Sequence, residues 1–323
     1  MLPANAHTFH EGERALQELV GVRERLEEIG PRVIRNHLPE QHREFFTQLP
    51  FVVAGSVDVH GQPWASILAR PPGFITSADA THLNINAIPP VFDPLHETLH
   101  TGSPIGLLGI EPHTRRRNRA NGMVESITDA GIAVNVTESF GNCPKYIQAR
   151  KPEYIAEQIA GVRAVYTSSA LDDAARVLIT AADTFFIATS YPSDEKDADA
   201  RYGVDVSHRG GKPGFVHVNA DGTLLAPEFS GNYFFNTLGN IAINPRAGLL
   251  FIDFNSGDLL YLAVEASIIW NGPQVAAYAG AERLLKFDIR EVKRVEAGLP
   301  LRWGAAELSP MLGHTGAWPR DAI

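Results

Sequence analysis

The segment His96-Glu97-Thr98-Leu99-His100 spells a reaction by residue type and spacing alone. On a helix, two histidines four residues apart share a face and can bind zinc, with the glutamate between them as general base. Little else supports such a centre. The third-ligand candidates Glu111 and Glu125 fall on expected strands or turns, and Thr101-Gly102-Ser103-Pro104 ends the segment about one turn later. A zinc hydrolase is therefore a minor alternative, and no metal is expected. Arg115, Arg116, Arg117 and Arg119 form a second chemically charged group, either a solvated cationic turn or a set of anion partners. Cys143 is either a small buried apolar residue or a reactive thiol. His208 is either a turn residue or a neighbour of a bound group. There is no G-x-S-x-G elbow, no GxGxxG and no GxxxxGK[ST], so serine-hydrolase and common nucleotide fingerprints are missing.

Composition narrows the function classes. The net charge of −9 argues against a broad nucleic-acid or anionic-membrane surface. A single cysteine excludes an intrachain disulfide and a self-contained iron–sulfur cluster. The N-terminal run lacks an apolar core, and no stretch has the length to cross a bilayer, so a soluble cytoplasmic protein is expected. At 323 residues, 44% of them hydrophobic, the chain has material for roughly two domains.

An internal repeat agrees with that count. Residues 51–56 (FVVAGS) resemble 185–190 (FFIATS); Pro72-Gly73-Phe74-Ile75 returns as Pro213-Gly214-Phe215-Val216, and Leu83 as Leu224. Gly106 to Glu111 returns as Gly248 to Asp253. Order and spacing match, which reads as a duplicated β-rich unit. The expected divisions are an N-terminal helical segment (1–38), a first repeat (39–150), a second repeat (151–303) and a C-terminal tail (304–323).

The elements that must position these residues are helices leading into strands. Apolar spacing predicts a helix over 10–29, ended by Gly30-Pro31, and another from Pro39 through Leu49. In the second copy, Ser168 or Ser169 caps a helix with Leu171, Ala174, Val177 and Leu178 as its stripe. Asn219-Ala220-Asp221-Gly222 and Asn255-Ser256-Gly257-Asp258 read as hairpin turns. Many short strands between Gly and Pro turns favour a mainly β fold, a barrel with flanking helices.

Several runs then carry a family resemblance. Gly203 to Val216, with its Ser207-His208-Arg209-Gly210-Gly211 centre, is followed by Ser230-Gly231-Asn232, Asn236 to Ile241 and Asn244 to Phe251. Together they resemble the pyridoxamine 5′-phosphate oxidase-like FMN-binding split-barrel family. Trp64 to Leu68 and Arg117 to Gly122 are the matching pieces of the first copy. The resemblance implies tandem six-stranded Greek-key split barrels with FMN between them, both supplied by one chain.

It also implies a site. Ser207, Arg209, Asn236 and Thr237 would meet the FMN phosphate, since hydroxyls and bidentate guanidinium groups suit phosphate oxygens. Gly210 and Gly211 would let backbone approach the ligand, and a helix starting near Asn236 would aim its N–H groups at an anion. Asn232 and Asn240 could bond the ribityl chain or ring edge, while His208 and the first copy's Ser66 complete the set. Relatives often carry arginine after the Gly-Asn pair, where this chain has Tyr233-Phe234-Phe235, and Tyr261 stands at the position matching Arg119. Either a composite site borrows Arg119 across the interface or FMN affinity is reduced, and the composite site is the expectation. Trp303 either stacks near the cofactor or caps the core. The implied activity is an FMN-dependent oxidoreduction of a small molecule, with NAD(P)H or a separate reductase as electron donor. The alternative is a non-catalytic flavin or haem binder. No nucleic-acid partner is expected, and a homodimer is, since closed twofold assemblies are common.

Overall fold

The computed structural model describes residues 8–156, 163–192 and 203–319. Two antiparallel sheets dominate it. The first is built from β1 (Phe51–Val57), β2 (Pro63–Ala69), β3 (Ile75–Thr76), β4 (His82–Ile85), β5 (Pro104–Glu111), β6 (Arg116–Thr128) and β7 (Gly131–Asn142). Its spatial order is β2-β1-β5-β6-β7-β4-β3. After β8 (Pro152–Tyr154) and β9 (Val165–Ser168) comes the second set: β10 (Thr184–Tyr191), β11 (Gly203–Gly210), β12 (His217–Val218), β13 (Leu224–Phe229), β14 (Arg246–Ile252), β15 (Leu259–Ile269) and β16 (Ala281–Val295). Its order is β11-β10-β14-β15-β16-β13-β12, with β9 added beside β16. The two orders are identical, so the repeat read from sequence is a repeat of topology. A last strand, β17 (Leu301–Trp303), pairs with β8.

The architecture is mainly β with flanking helices. Each sheet is an open hydrogen-bonded path among the described residues rather than a closed barrel, and each path counts seven repeat strands where six were expected. The two-residue β3 and β12 make the difference.

Hydrogen-bond register corrects the repeat alignment by one residue. Gly55 pairs with Gly106, and Ala188 pairs with Gly248. Since Gly106 and Gly248 correspond, Gly55 matches Ala188, not Thr189 as the FVVAGS and FFIATS strings suggest. β1 is buried on both faces, so no polar alternation marks the slip. The rest of the register agrees: Ser66 lies opposite Ala54 as Ser207 lies opposite Ile187, and Arg119 opposite Leu108 as Tyr261 opposite Leu250. A bulge falls at Asn121/Gly122 in β6 and at the matching Ala263/Val264 in β15.

The sheets meet about a pseudo-twofold axis. β2 lies against β10, β14 and β15, and β11 lies against β1, β5 and β6. The strand before each proline, β2 before Pro72 and β11 before Pro213, is the one laid on the other repeat, and it meets strands from both sides of that repeat's proline. At its centre, a Cβ on Gly55 would lie 3.1 Å from that of Ala188, its own symmetry mate. A Cβ on Gly106 would lie 2.4 Å from the Val204 carbonyl oxygen, and one on Gly248 would lie 2.3 Å from that of Pro63. These matched glycines let backbone meet backbone across the join. Phe51, Val53 and Ile67 of one repeat pack there with Phe186, Val206 and Leu250 of the other.

The helices depart from expectation in detail. The predicted 10–29 helix is two, α1 (Glu11–Leu19) and α2 (Arg23–Val33), divided at Gly21 with φ of 73°. Gly30 and Pro31 lie inside α2, where Gly30 leaves room for the Phe9 ring. α3 (Glu40–Thr47) starts after Pro39. α4 (Asp173–Ala181) is capped by Asp172, whose carboxylate accepts from the Ala175 amide at 2.7 Å; Ser168 instead ends β9. Its buried stripe is Leu171, Ala175, Leu178 and Ile179, one step from the predicted one, and Val177 is exposed. α5 (Asn236–Ile243) and α6 (Pro273–Ala277) complete the set. No described helix is long and apolar enough to cross a membrane.

On α3, His42 sits 2.9 Å from the Ser139 hydroxyl. Burial, reinforced by Arg35 and Arg116, pushes its pKa down to about 4. Unfolding restores a value near 6.5. Between those values the unfolded chain binds a proton that the folded chain refuses, so stability falls as pH drops. His42→Gln is expected to flatten this fall, as read from urea unfolding at about pH 7 and pH 5. An unchanged pH dependence would exclude His42 as a source.

Candidate functional site

A cleft opens where β6 of the first repeat meets β11 and the β13–α5 connection of the second. Arg117 and Arg119 are two apart on β6 and so share a face. Arg119 Nη1 lies 2.6 Å from Asp205 Oδ1, and its Nη2 donates to the Ser207 hydroxyl. Thr237 donates to the same hydroxyl oxygen at 3.0 Å. Asp205 also accepts from Asn121 at 2.9 Å and from Asn240 at 3.0 Å. Residues of both repeats thus form one polar network, with Arg119 buried at its centre and its guanidinium 5.2 Å from the Phe140 ring centroid.

Arg117 differs from its neighbour. Its Nε donates to the Cys143 carbonyl at 2.9 Å, and Nη1 lies 3.3 Å from His208 Nδ1. No carboxylate among the described residues forms an ion pair with it. Burial first, then Arg117, Arg209 and Arg150, push the His208 pKa well below its usual value. His208 is therefore neutral near pH 7, which suits Nδ1 to accept from Arg117. Arg209 Nε lies 3.0 Å from Glu228 Oε2, yet the pair is poorly aligned and both atoms stay without a hydrogen bond.

The cleft's far wall is backbone held in an unusual shape. Tyr233 and Phe235 both have left-handed φ values, 63° and 64°. Non-glycine residues adopt that region at a cost of roughly 1–3 kcal/mol, and the cost is met by surrounding contacts. Here Tyr233 donates to Glu282 at 2.6 Å, and Asn232 Oδ1 accepts from the Phe234 amide at 3.1 Å. Phe235 precedes α5 without a side-chain cap, so the first amides of α5 have no side-chain acceptor at the end that borders the cleft. Behind α5 stands α1: Gly12 packs against Gly239, Asn236 Nδ2 donates to Glu13 at 2.6 Å, and Gln17 donates to the Phe234 carbonyl. Burial, then Asp205 and Glu138, raise the Glu13 pKa well above the usual carboxylate range.

Of the residues singled out from sequence, Ser207, His208, Arg209, Asn232, Asn236, Thr237 and Arg119 line the cleft. Asn240 is buried behind it, on Thr189 and Asp205. Gly210 and Gly211 are tight for protein reasons: a Cβ would lie 2.0 Å from the Tyr146 carbonyl oxygen in one case and 2.3 Å from Phe215 in the other. Ser66 lies outside the cleft, bonded to Asp93 at 2.6 Å. Arg117, Asn142, Tyr233, Phe235 and Arg283 also line it; the arginine run and the first-copy match pointed to Arg117 and the departure after Gly-Asn to Tyr233 and Phe235, while Asn142 and Arg283 carried no signal of their own.

Cys143 also lines the cleft, and the other candidates fall elsewhere. Arg115 bonds Glu307 and Arg116 stacks on Phe45, so the cationic run divides into two structural and two cleft residues. Trp303 packs edge-on against Phe51 and Phe254 and caps the core. His96 to His100 is turn and coil rather than helix: His96 Nδ1 lies 2.6 Å from the Pro89 carbonyl and His100 Nδ1 2.9 Å from that of Thr101. The helix face needed to join two zinc ligands is not there.

No protein-family model matches the chain, and no curated protein matches it. Among solved structures, HupZ of Group A Streptococcus is 16% identical, with 37% of this chain and 90% of HupZ covered at a TM-score of 0.29. A variant of HupZ gives 14% identity, 38% and 98% coverage, and the same TM-score of 0.29. The inhibitor of motility MotI/DgrA of Bacillus subtilis is 8% identical over 77% of this chain and 88% of its own, with a TM-score of 0.20. These likenesses are too slight to transfer a fold or an activity.

Proposed function

We propose that the chain is a tandem split-barrel flavoprotein that binds one FMN in the cleft between its repeats and performs a redox reaction on a small molecule. The observation that carries this reading is the charge of the cleft. Four guanidiniums, Arg117, Arg119, Arg209 and Arg283, stand against Glu228 and Glu282 on its wall, with Asp205 behind Arg119. One positive charge is left over, and Arg117 is the arginine without a carboxylate.

A phosphate monoester suits that surplus, two hydroxyls and the uncapped start of α5. Buried donors still without partners, Arg119 Nε, Asn142 Nδ2 and Arg283 Nε, belong to cleft residues and add to the fit. Phe235 and Tyr233 offer apolar surface for a planar ring, and neutral His208 adds no competing charge. Bound FMN would supply hydride or single-electron transfer, with electrons drawn from NAD(P)H or a separate reductase. The protein's part is to hold the phosphate through Ser207, Thr237 and Arg117 and to fix the ring against the second repeat.

The visible spectrum of purified protein is the first check: flavin bands support the reading, and a haem Soret band overturns it. Arg117→Gln is expected to weaken FMN binding by about 1.5–3 kcal/mol, or roughly 10- to 150-fold, as one charge-assisted contact is lost. Riboflavin, which lacks the phosphate, should lose much less. Equal losses for both ligands would remove Arg117 from the phosphate site.

A further inference from the structure

The pseudo-twofold axis that builds the candidate site must also build its mirror position, and the molecule has a second cleft there. It is the roomier of the two. Several of its lining residues match those of the first cleft at the offsets fixed by strand pairing. Where the first cleft has Arg117, His208 and Arg209, the second has Leu259, Ile67 and Leu68. Carried on along the connection after β4, the offset that matches β4 to β13 places Ala87 and Val91 where Glu228 and Asn232 stand. Every one of these exchanges replaces a polar group by an apolar one.

The anion position itself is filled from within. Ser66 and Tyr261 are the counterparts of Ser207 and Arg119, and both bond Asp93 Oδ2, at 2.6 and 3.0 Å. A carboxyl group of the chain thus sits where the other cleft would receive a phosphate. That closes the second cleft to FMN but leaves its apolar walls open. At the same cleft stand Arg70, Arg163 and Lys293, and among the described residues none of those lining it is acidic. No ion pair joins any of the three to a described carboxylate.

We propose that this second cleft binds an aliphatic carboxylate, the chain lying along Leu68, Val91, Leu259 and Leu299 and the carboxylate meeting Lys293, Arg70 or Arg163. Apolar walls alone would accept any hydrocarbon. The three cations select an anion, and the Asp93 carboxyl, which Lys293 faces, is already tied down by Ser66 and Tyr261. This site is independent of whether the first cleft holds flavin.

Calorimetric titration of the full chain with dodecanoate tests it, with dodecanol as the uncharged control. One saturable dodecanoate site per chain is expected, with dodecanol at least about tenfold weaker. Val91→Glu places a carboxylate on an exposed lining position without burying it, and it should cut dodecanoate affinity by roughly tenfold or more; Lys293→Gln should lower it about three- to tenfold. Equal binding of acid and alcohol, no saturable binding, or indifference to Val91→Glu would overturn the proposal. So would preferential binding to anionic phospholipid vesicles, which would make the cationic rim a membrane contact instead.

Discussion

Gly106→Val is expected to cost about 3 kcal/mol or more, at the upper end of what overpacking a filled interior costs. A side chain there meets backbone, not a movable neighbour: the Val204 carbonyl carbon lies 3.1 Å from the built Cβ and the Val206 nitrogen 3.2 Å. Relief would require the two sheets to separate along β5 and β11. Gly248→Val should behave alike, because its Cβ meets Pro63 and Trp64 backbone at the related position. Gly55→Ala, whose new methyl meets only side-chain carbons at 3.1–3.2 Å, should be much milder. Urea unfolding of the three variants checks the ranking. A Gly106→Val protein as stable as its parent would mean that the join between repeats is not close-packed.

Arg119→Ala should be comparably damaging, by about 3–5 kcal/mol, because it strands the Asp205 carboxylate in a buried network. Removing both charges tells the pair from the packing. With Asp205→Asn added, most of the lost stability should return, since an amide needs no cation and keeps Asn121 and Asn240 within reach. FMN affinity should stay low in the double variant if the cleft needs Arg119 to hold the Ser207 hydroxyl. Failure of the second change to restore stability would place the cost in the guanidinium's packing on Phe140 instead.

The duplication was legible because turns repeat well: Pro-Gly pairs and the glycine before Leu107 and Leu249 are demanded by backbone geometry, and they keep their spacing. From that spacing followed the correspondence of Arg119 with Tyr261 and the reach of Arg119 toward the second repeat. Register within β1 was not legible, since a strand buried on both faces has no polar residues to fix its phase. Nor was the wall made by α1. Glu13 and Gln17 look like the solvent face of an amphipathic helix, and only α5, more than 200 residues later, shows why they are buried. Asp93 gave no local sign either, because its partners Ser66 and Tyr261 come from different repeats. The His96 to His100 motif misled for the converse reason: its spacing is helical, but Pro94 and the bonds to Pro89 and Thr101 hold it as turn and coil.

The backbone contacts at Gly106 and Gly248 lie within one covalent chain, so dilution cannot part the two halves. Each half sees the other at an effective concentration set by the connecting segment, not by the amount of protein in solution. Closure of this join should therefore follow first-order kinetics, with a midpoint of unfolding that does not move with protein concentration on its account. Fusion also frees the halves from identity. In an assembly of equal subunits a substitution appears at both sides of the axis; here Asp93 can seal one cleft while its counterpart position leaves the other open.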